Sequence, residues 1–369
     1  MQLAEMGRTG PEGRVNRPLL RALAEAGLLP RLFPRRAGGS RDRDVLAVDL
    51  CAVREALAAV STEVENAVAI QTLGGYPIVL SGADEAVSRW VTPLARGEAV
   101  AAFALTEPGA GSDAGGLELK AERDGWGFRL TGTKTFISNA PDADVYTLFA
   151  RTTAGAGTRG ITAFIVNGDA QGLHGTPLQL LSAHPIGRLE LDGVFVPQDQ
   201  VLSEVDHGFK LAMRTLDLFR PSVGASVVGM GQAALDASIA HAETRTAFGR
   251  PIREFQAVSH QIAEMATRLE AARSLVYDAA AAYDAGQPDV GRRSAMAKLF
   301  ATETAQEVVD MAIQVHGAIA LERGHLLEHL YREVRAPRIY EGTSEIQREI
   351  IARDLFRKPH KGEGEGQGS

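Results

Sequence analysis

The spacing of apolar residues changes twice along the chain, and this change limits the possible folds more than any other feature. From residue 16 to about 97, segments such as "RPLLRALAEAGLL" repeat apolar residues at steps of three and four, as amphipathic helices do. From about 98 to 200 the pattern becomes short alternating runs such as "FRLTGTKTFIS", which is typical of strands. Helical spacing returns from about 207 to 356. The sequence therefore predicts a helical, a β and a second helical region, in that order.

These regions predict an α+β protein in which two helical domains flank a β domain. The expected boundaries are residues 1–100 for the N-terminal helical domain, 101–203 for a middle domain built as a β-barrel or sheet, and 204–358 for the C-terminal helical domain. The remaining residues, 359–369, have no apolar side chain to bury, and we expect a disordered tail there. With 369 residues, 45% of them hydrophobic, the chain is long enough to fill several cores.

Charge and cysteine content exclude several classes of protein. The formal net charge of −7 disfavours a wide basic surface for nucleic acid. Cys51 is the only cysteine, which excludes a disulfide framework and fits a reducing compartment. The N-terminus has no signal-peptide pattern, and no uninterrupted apolar run reaches about 18 residues, so we expect no membrane association. Together these features predict a cytoplasmic protein.

The glycine-rich stretch "TEPGAGSDAGG", residues 106–116, is the first candidate for a binding loop. Gly109, Gly111 and Ala114 fit the G-x-G-x-x-G/A pattern of a dinucleotide-binding turn, but that turn must open a helix. Here "LELKAERDGWGFRLTG" follows, which predicts a β-hairpin turning near Asp124 and Gly125. The loop is therefore not a Rossmann turn. A plain linker between domains remains an alternative, although the polar residues among the glycines favour contact with a ligand.

Five segments, in this order along the chain, resemble the acyl-CoA dehydrogenase family. "ALTEPGAGSD" resembles the first signature of that family, and "GTKTFISNAPDADVYTLFARTT" resembles its β segment beside the flavin. "TRTAFGRPIREFQAVSHQIAEMATRLEAAR" resembles its long C-terminal helices, and "MAIQVHGAIA" and "RIYEGTSEIQREIIARDLF" complete the series. The resemblance covers roughly residues 80–356. It implies bound FAD, a helix–β–helix architecture and a C-terminal four-helix bundle.

Glu341, in "IYEGTSEIQ", is the candidate catalytic base. Desaturating an acyl thioester between Cα and Cβ requires a base for the α-proton, a stabiliser for the developing enolate and a hydride acceptor. Ser344 and Gln347 are spaced as a capping box for the last helix. Judged alone, Glu341 could simply favour a helix N-terminus. In the resembled family, however, the Glu of this Tyr-Glu-Gly-Thr motif is the base, and its backbone N–H helps to hold the thioester carbonyl.

The resemblance also assigns residues to the cofactor. Leu105 and Thr106 would lie against the flavin, Ser112 would contact the FAD diphosphate or the acyl-CoA, and Phe136 and Ser138 would lie beside the flavin ring. Arg245, Phe248 and Gln256 would reach the FAD of a neighbouring subunit, which implies a homodimer or homotetramer. The implied cofactor-binding residues are Leu105, Thr106, Gly111, Ser112, Phe136, Ser138, Arg245, Phe248, Gln256, Gln314, Gly317 and Thr343.

The substrate residues that the resemblance implies are Ser112, Asp217, Phe219, Arg220, Tyr340 and Gly342. In the family the base comes either from the Tyr-Glu-Gly-Thr motif or from the position that matches Phe219. Because Phe219 cannot take a proton, Glu341 should be the sole base, with Phe219 lining the acyl pocket. Two departures from the family pattern affect these assignments. Ala318 follows Gly317 where a second glycine is common, and "LLSAHPIGRLELDGV" lacks a common Ser-Asp-Thr sequence.

We therefore predict an FAD-dependent oxidoreductase that converts acyl-CoA to trans-2-enoyl-CoA and passes electrons to an electron-transferring flavoprotein. An acyl-carrier-protein thioester as substrate, oxidase or monooxygenase chemistry, and a non-desaturating flavoprotein on the same scaffold are alternatives. "HLLEH", from His325 to His329, formally fits a zinc motif. No third ligand can be singled out, so we expect a helix between two FAD motifs and no metal.

Overall fold

The computed structural model describes residues 2–42 and 44–356. The predicted tail at 359–369 lies outside these residues. The N-terminal part is helical, with a π-helical turn at Val87–Val91. Its α-helices are α1 (Gln2–Arg8), α2 (Arg17–Glu25), α3 (Ala47–Ala58), α4 (Thr62–Ser81), α5 (Asp84–Ala86) and α6 (Thr92–Ala95).

Capping residues determine where the N-terminal helices begin. Asn16 accepts a hydrogen bond from the Leu19 N–H at 3.0 Å and so caps α2. Ser61 caps α4 in the same way, through the Val64 N–H at 3.3 Å. Most residues of α4 are buried, because this helix packs against the first strand and against the longest helix of the C-terminal part.

A mixed β-sheet follows the N-terminal helices. Its strands are β1 (Ala101–Ala104), β2 (Lys120–Asp124), β3 (Gly127–Ser138), β4 (Val145–Arg151), β5 (Ile161–Asn167), β6 (Leu173–Pro177), β7 (Ile186–Pro197) and β8 (Val201–Leu202). The strand order is β6-β7-β3-β2-β4-β5-β8, with β1 parallel to β4. Strands β2 and β3 form the predicted antiparallel hairpin, which turns at Gly125 with φ +56°. This hairpin confirms that the glycine-rich loop does not open a Rossmann helix.

The C-terminal part is again helical and contains a short ribbon of β9 (Thr246–Ala247) and β10 (Arg250–Pro251). Its helices are α7 (Gly208–Thr244), α8 (Gln256–Asp284), α9 (Val290–His316), α10 (Leu326–Glu333) and α11 (Ser344–Leu355). Helices α7, α8 and α9 pack on one another, and α11 packs on α9. Helical N- and C-terminal parts around a central sheet confirm the predicted α+β fold.

Helix α7 forms the centre of the C-terminal part. By length and composition it could cross a membrane, but 67% of its most apolar window is buried inside the protein, as in the core helix of a bundle. A Cβ atom at Gly229 would lie 2.2 Å from the Glu55 carbonyl oxygen, so glycine allows α7 and α3 to approach closely. This approach packs the N-terminal helix α3 against the centre of the C-terminal part.

Candidate active site

Glu341 lies in a tight turn between a 3-10 turn at Ala336–Arg338 and helix α11. Its φ of +54° is left-handed, a conformation that costs about 1–2 kcal/mol for a residue with a Cβ atom. Gly342 follows with φ +95°, and a Cβ atom there would lie 2.7 Å from Gln347 Nε2. The backbone of Glu341 is therefore held in an unfavourable conformation by its surroundings, as residues of active sites often are.

Three side chains from different helices hold this turn. Gln347 of α11 donates through Nε2 to the carbonyl oxygens of Glu341 at 3.1 Å and Gly342 at 3.0 Å. Arg220 of α7 donates to the Glu341 oxygen at 3.3 Å, and Lys298 of α9 donates to the Gly342 oxygen at 2.7 Å. These donors satisfy both carbonyl groups and hold the backbone of the turn in place.

The predicted capping box at the start of α11 is wrong. Thr343, not Ser344, is the N-cap, and its hydroxyl accepts from the Ile346 N–H at 3.3 Å. Ser344 is already the first helical residue, and its hydroxyl donates to Glu303 at 2.5 Å. Gln347 is then free to bond the Glu341 turn. The Gln347 side chain, which the predicted capping box placed at the helix N-terminus, thus supports the turn of the candidate base.

The Glu341 carboxyl group is buried, and its Oε2 atom has no hydrogen-bond partner among residues 2–42 and 44–356. Burial raises the pKa of Glu341, whereas the positive charges of Arg54, Arg220 and Lys298 act in the opposite direction. The hydrogen bonds of the described chain also leave the Glu341 backbone N–H without an acceptor. The site thus offers a basic oxygen and a backbone donor that the protein itself does not use.

Lys298 is completely buried, and burial lowers the pKa of its ammonium group to about 8. At neutral pH most of the protein still carries the protonated form, which donates to the Gly342 oxygen. We predict that Lys298→Met lowers the rate of flavin reduction by an acyl-CoA by about tenfold or more, because a misplacement of about 1 Å can cost about 10²-fold. Single-turnover reduction of the FAD-loaded protein measures this effect.

The matched control for Lys298→Met is Lys210→Met, since Lys210 is exposed near the start of α7. A positioning role predicts that Lys298→Met lowers kcat while FAD content and KM change little. An equal rate in Lys298→Met and Lys210→Met would show that the bond to Gly342 does not position Glu341.

The predicted substrate residues on α7 lie beside the same turn. Arg220 is buried, and its guanidinium donates to Asp217 at 2.9 Å as well as to the Glu341 oxygen. Burial raises the pKa of Asp217, and the Arg220 charge opposes this rise. Phe219 is completely buried, with its ring centroid 5.7 Å from that of Tyr76 in an edge contact. Tyr340 is exposed next to Glu341. Their contacts with substrate remain predictions.

The glycine-rich loop is held by Glu107, a residue that the sequence analysis did not single out. Its carboxylate accepts the backbone N–H groups of Glu118 at 2.6 Å and Leu119 at 3.1 Å, and the Lys134 ammonium at 2.8 Å. Lys134 also donates to the Leu105 oxygen at 2.8 Å. Burial lowers the pKa of Lys134 to about 8, and the Glu107 charge opposes this shift. A buried ion pair therefore ties the loop to β3.

The same contacts bring the predicted flavin-facing residues together. The Thr135 N–H donates to the Thr106 oxygen at 3.0 Å, which joins the loop to β3. Phe136 interrupts the pairing of β3 with β7, has φ +55° and leaves 56% of its side chain exposed, so it is not a core aromatic. Ser138 is half-buried in β3, and Ser112 is exposed on the loop. An exposed aromatic ring thus lies beside backbone that a planar ligand can approach.

Two observations fit FAD to this face. Cβ atoms placed on Gly109 or Gly111 would meet nothing within 4 Å, so the loop backbone borders open space. Backbone N–H groups of such loops bind phosphate groups, and an aromatic side chain such as Phe136 can lie against a flavin ring.

A third group of predicted residues lies on the surface of the C-terminal helices. Phe248 is 96% exposed, and a φ of +52° places it in the left-handed region. Arg245, Gln256 and Gln314 are exposed as well, and Gly317, with φ +70°, ends α9. Thr343, predicted to contact FAD, accepts the Ile346 N–H through its hydroxyl as the N-cap of α11, and its contact with FAD stays a prediction. Exposure leaves the four side chains free to contact a neighbouring subunit, which stays a prediction.

The two histidines of the zinc-like motif contact different partners. His325 caps α10 by accepting the Leu327 N–H at 3.2 Å, whereas His329 bonds the Thr62 hydroxyl at 2.7 Å. Within the described residues, no group of three His, Cys, Asp or Glu side chains could hold a metal ion.

The loop before β7, which departs from the family pattern, is anchored to α10 by buried polar contacts. Ser182 donates to Glu333, and His184 Nε2 lies 2.7 Å from the other oxygen of the same carboxylate. Burial lowers the pKa of His184, but the hydrogen bond to Glu333 and its charge outweigh this, so the pKa lies above its usual value. Sequence reasoning missed this cluster because its members are about 150 residues apart.

Models of one protein family match three consecutive parts of the chain. The N-terminal domain of acyl-CoA dehydrogenase matches residues 3–98, its middle domain matches 102–194, and its C-terminal domain matches 206–356. Together they cover most of the described residues, including the glycine-rich loop and the Glu341 turn.

Individual proteins are similar to this chain over nearly its whole length. The caffeyl-CoA reductase-Etf complex subunit CarC of Acetobacterium woodii is 37% identical over 356 residues, 94% of this chain and 91% of that protein. The structure of butyryl-CoA dehydrogenase from Megasphaera elsdenii has a TM-score of 0.90 and 31% identity, covering 96% of each chain. The FAD complex of PigA has a TM-score of 0.88 and 30% identity, covering 93% of this chain and 90% of that one.

Proposed function

Because this chain belongs to the acyl-CoA dehydrogenase family of FAD-dependent oxidoreductases, we propose that it interconverts an acyl-CoA and its trans-2-enoyl-CoA with Glu341 as the base. The observation that carries this proposal is the buried, unpartnered Oε2 atom of Glu341 in a turn held by Arg220, Lys298 and Gln347. Buried polar atoms of proteins usually have a hydrogen-bond partner. A buried carboxylate oxygen without one is typical of a site that binds a ligand.

In this proposal the Glu341 carboxylate removes one α-proton, a hydride leaves Cβ, and a double bond forms between Cα and Cβ. FAD, when bound, supplies the two-electron acceptor. The free Glu341 N–H donates to the thioester oxygen, where negative charge develops as the α-proton leaves. The acyl group displaces water from around Glu341, which favours proton transfer by strengthening the electrostatic interactions in the site. In the reverse direction Glu341 returns the proton to an enoyl thioester.

We assign the FAD site to the glycine-rich loop and β3. Thr106 and Ser112 would supply polar groups on the loop, Phe136 would pack against the ring system, and Ser138 would supply a hydroxyl to the flavin. The exposed Arg245, Phe248, Gln256 and Gln314 are assigned to the FAD of a second subunit. This requires a homodimer or a homotetramer.

An electron-transferring flavoprotein is the proposed redox partner, since the relative CarC is named as a subunit of a complex with Etf. CarC is named a reductase and the Megasphaera elsdenii protein a dehydrogenase. The reduction potential of the redox partner would therefore set whether the acyl-CoA is oxidised or the enoyl-CoA is reduced. A cytoplasmic location fits the charge and the single cysteine. An acyl-carrier-protein thioester remains the second candidate substrate, with the same chemistry at Cα and Cβ.

We predict that the purified protein is yellow, holds FAD without a covalent bond and is bleached anaerobically by at least one acyl-CoA. The physical reason is that the loop, Phe136 and Glu341 supply a cofactor face and a base for the α-proton. Absorbance at the flavin bands during titration with a panel of acyl-CoA and acyl-carrier-protein thioesters measures the reaction. Sedimentation gives the subunit number of the same sample.

A bound flavin that no thioester of the panel bleaches would contradict the proposal and favour a non-desaturating flavoprotein. Bleaching by acyl-carrier-protein thioesters alone would retain the chemistry and replace the carrier. Protein that takes up no FAD would contradict the assignment of the loop.

A further inference from the structure

A buried ion pair lies next to the Glu341 turn and has no role in the proposed reaction. Arg54 of α3 and Glu65 of α4 keep only 4% of their side-chain surfaces exposed, and Arg54 Nε lies 2.5 Å from Glu65 Oε1. A second guanidinium nitrogen of Arg54, NH1, donates to the Ser222 hydroxyl of α7 at 2.7 Å. Three helices therefore enclose a pair of opposite charges.

The pair adjoins the candidate base through α7. Ser222 is two residues after Arg220, which donates to the Glu341 carbonyl oxygen at 3.3 Å. Arg54 is also the charged group that most strongly opposes the effect of burial on the pKa of Glu341. Arg54 and Glu65 thus both belong to the charge environment of Glu341, where the α-carbon of a substrate would lie.

Each member of the pair has one polar atom left over. The third guanidinium nitrogen of Arg54, NH2, and the second carboxylate oxygen of Glu65, Oε2, have no hydrogen-bond partner in the described part of the chain. Neither atom is fully buried, so both belong to the small part of the pair's surface that stays exposed. A hydrocarbon chain against these atoms would leave a donor and an acceptor unsatisfied, which is unfavourable.

We propose that Arg54 and Glu65 determine substrate specificity by binding a hydroxyl group on the acyl chain or aryl end of the substrate. A hydroxyl accepts one hydrogen bond and donates another, so it pairs with the free guanidinium nitrogen and the free carboxylate oxygen together. A carboxylate fits less well because Glu65 repels it. The inference rests on the proposed function, since it assigns a binding site to the distal part of the same acyl-CoA substrate.

The test measures binding, so that it does not depend on turnover. The FAD-loaded Glu341→Gln variant is titrated calorimetrically with acyl-CoA pairs that differ only in a terminal hydroxyl or a terminal methyl group. The pairs run from butanoyl-sized to octanoyl-sized chains and include para-hydroxyphenylpropanoyl-CoA against its para-methyl counterpart. At least one hydroxyl-bearing ligand should bind about tenfold or more tightly than its methyl counterpart.

The combined change Arg54→Met with Glu65→Leu, made in the same Glu341→Gln background, should reverse this preference in favour of the methyl ligand. Replacing both members of a buried pair by apolar residues of similar size is often neutral for folding, so this variant remains interpretable. The matched control is Arg268→Met with Glu264→Leu, which removes an exposed pair with an N–O distance of 2.5 Å on α8. This control should leave the binding ratio unchanged.

Two results overturn the inference while leaving the proposed function intact. One is that, in the protein with Arg54 and Glu65 unchanged, every methyl ligand binds as tightly as its hydroxyl counterpart or more tightly. The other is that the preference for the hydroxyl ligand persists in the Arg54→Met, Glu65→Leu variant. If no acyl-CoA binds the FAD-loaded protein, the proposed function is overturned, and the inference fails with it.

Discussion

We expect Glu341→Gln to lower the rate of flavin reduction by an acyl-CoA by about 10²–10⁴-fold, the usual contribution of a general base. The amide keeps the shape of the side chain but cannot take a proton. The three donors that hold the turn bind the carbonyl oxygens of Glu341 and Gly342, so the substitution leaves the backbone in place. Anaerobic stopped-flow absorbance measures the reduction step, and calorimetry should show that acyl-CoA binding largely survives.

Glu345→Gln is the matched control, because Glu345 lies four residues further on and is exposed. Its rate should equal that of the unchanged protein. A reduction rate in Glu341→Gln close to that of the control would assign proton removal to another group.

The pH dependence of the same step tests the environment of Glu341. Because burial raises the pKa of Glu341, the carboxyl group stays protonated, and therefore inactive as a base, to a higher pH than an exposed glutamate. The rate of reduction should consequently rise with pH, with a midpoint above the usual glutamate value of about 4.3. This fall in rate toward low pH should be absent from the residual rate of Glu341→Gln.

We expect Glu107→Gln to destabilise the protein by about 3–5 kcal/mol, the usual cost of removing one member of a buried ion pair. Glu107 joins the glycine-rich loop to β3 by accepting two backbone N–H groups and the ammonium of Lys134. The amide leaves Lys134 without its negative partner in a completely buried position. The thermal midpoint of the FAD-loaded protein should fall by several degrees, and FAD should bind about tenfold or more weakly.

Two further variants isolate the contribution of the pair. Glu118→Gln changes an exposed carboxylate that follows the same loop and should leave the thermal midpoint and the FAD affinity unchanged. Adding Lys134→Met to Glu107→Gln removes the unpaired buried charge, so part of the lost stability should return. Unchanged stability and FAD affinity in Glu107→Gln would show that the ion pair does not hold the loop.

The type and order of the elements could be predicted from the sequence because they depend on residues close together in the chain. Apolar spacing of three and four residues predicted the helices on either side, and alternation predicted the strands between them. The hairpin after the glycine-rich loop followed from the same local pattern and excluded a Rossmann turn. Glu341 could be selected because the residues around it resemble the Tyr-Glu-Gly-Thr motif that carries the base in the acyl-CoA dehydrogenase family.

Local patterns failed where distant groups compete for the same partner. Ser344 and Gln347 have the spacing of a capping box, yet Thr343 is the N-cap. Thr343 has an extended backbone conformation and directly follows the left-handed residues Glu341 and Gly342. Gln347 bonds that turn instead. Whether Phe136 faces the core or the surface likewise depends on an irregularity in the pairing of β3 with β7.

The sequence by itself determined the classes of secondary structure and the glycine-rich loop, since each is encoded by neighbouring residues, and its resemblance to a known family selected the candidate base. Only the tertiary structure decided which charges are buried near that base and at the glycine-rich loop. Arg54, Glu65 and Glu107 look like ordinary charged residues in the sequence, and burying any of them alone would be costly. Packing of α3 against α4, and of the loop against β3, brings each to an opposite charge, and that pairing makes their burial possible.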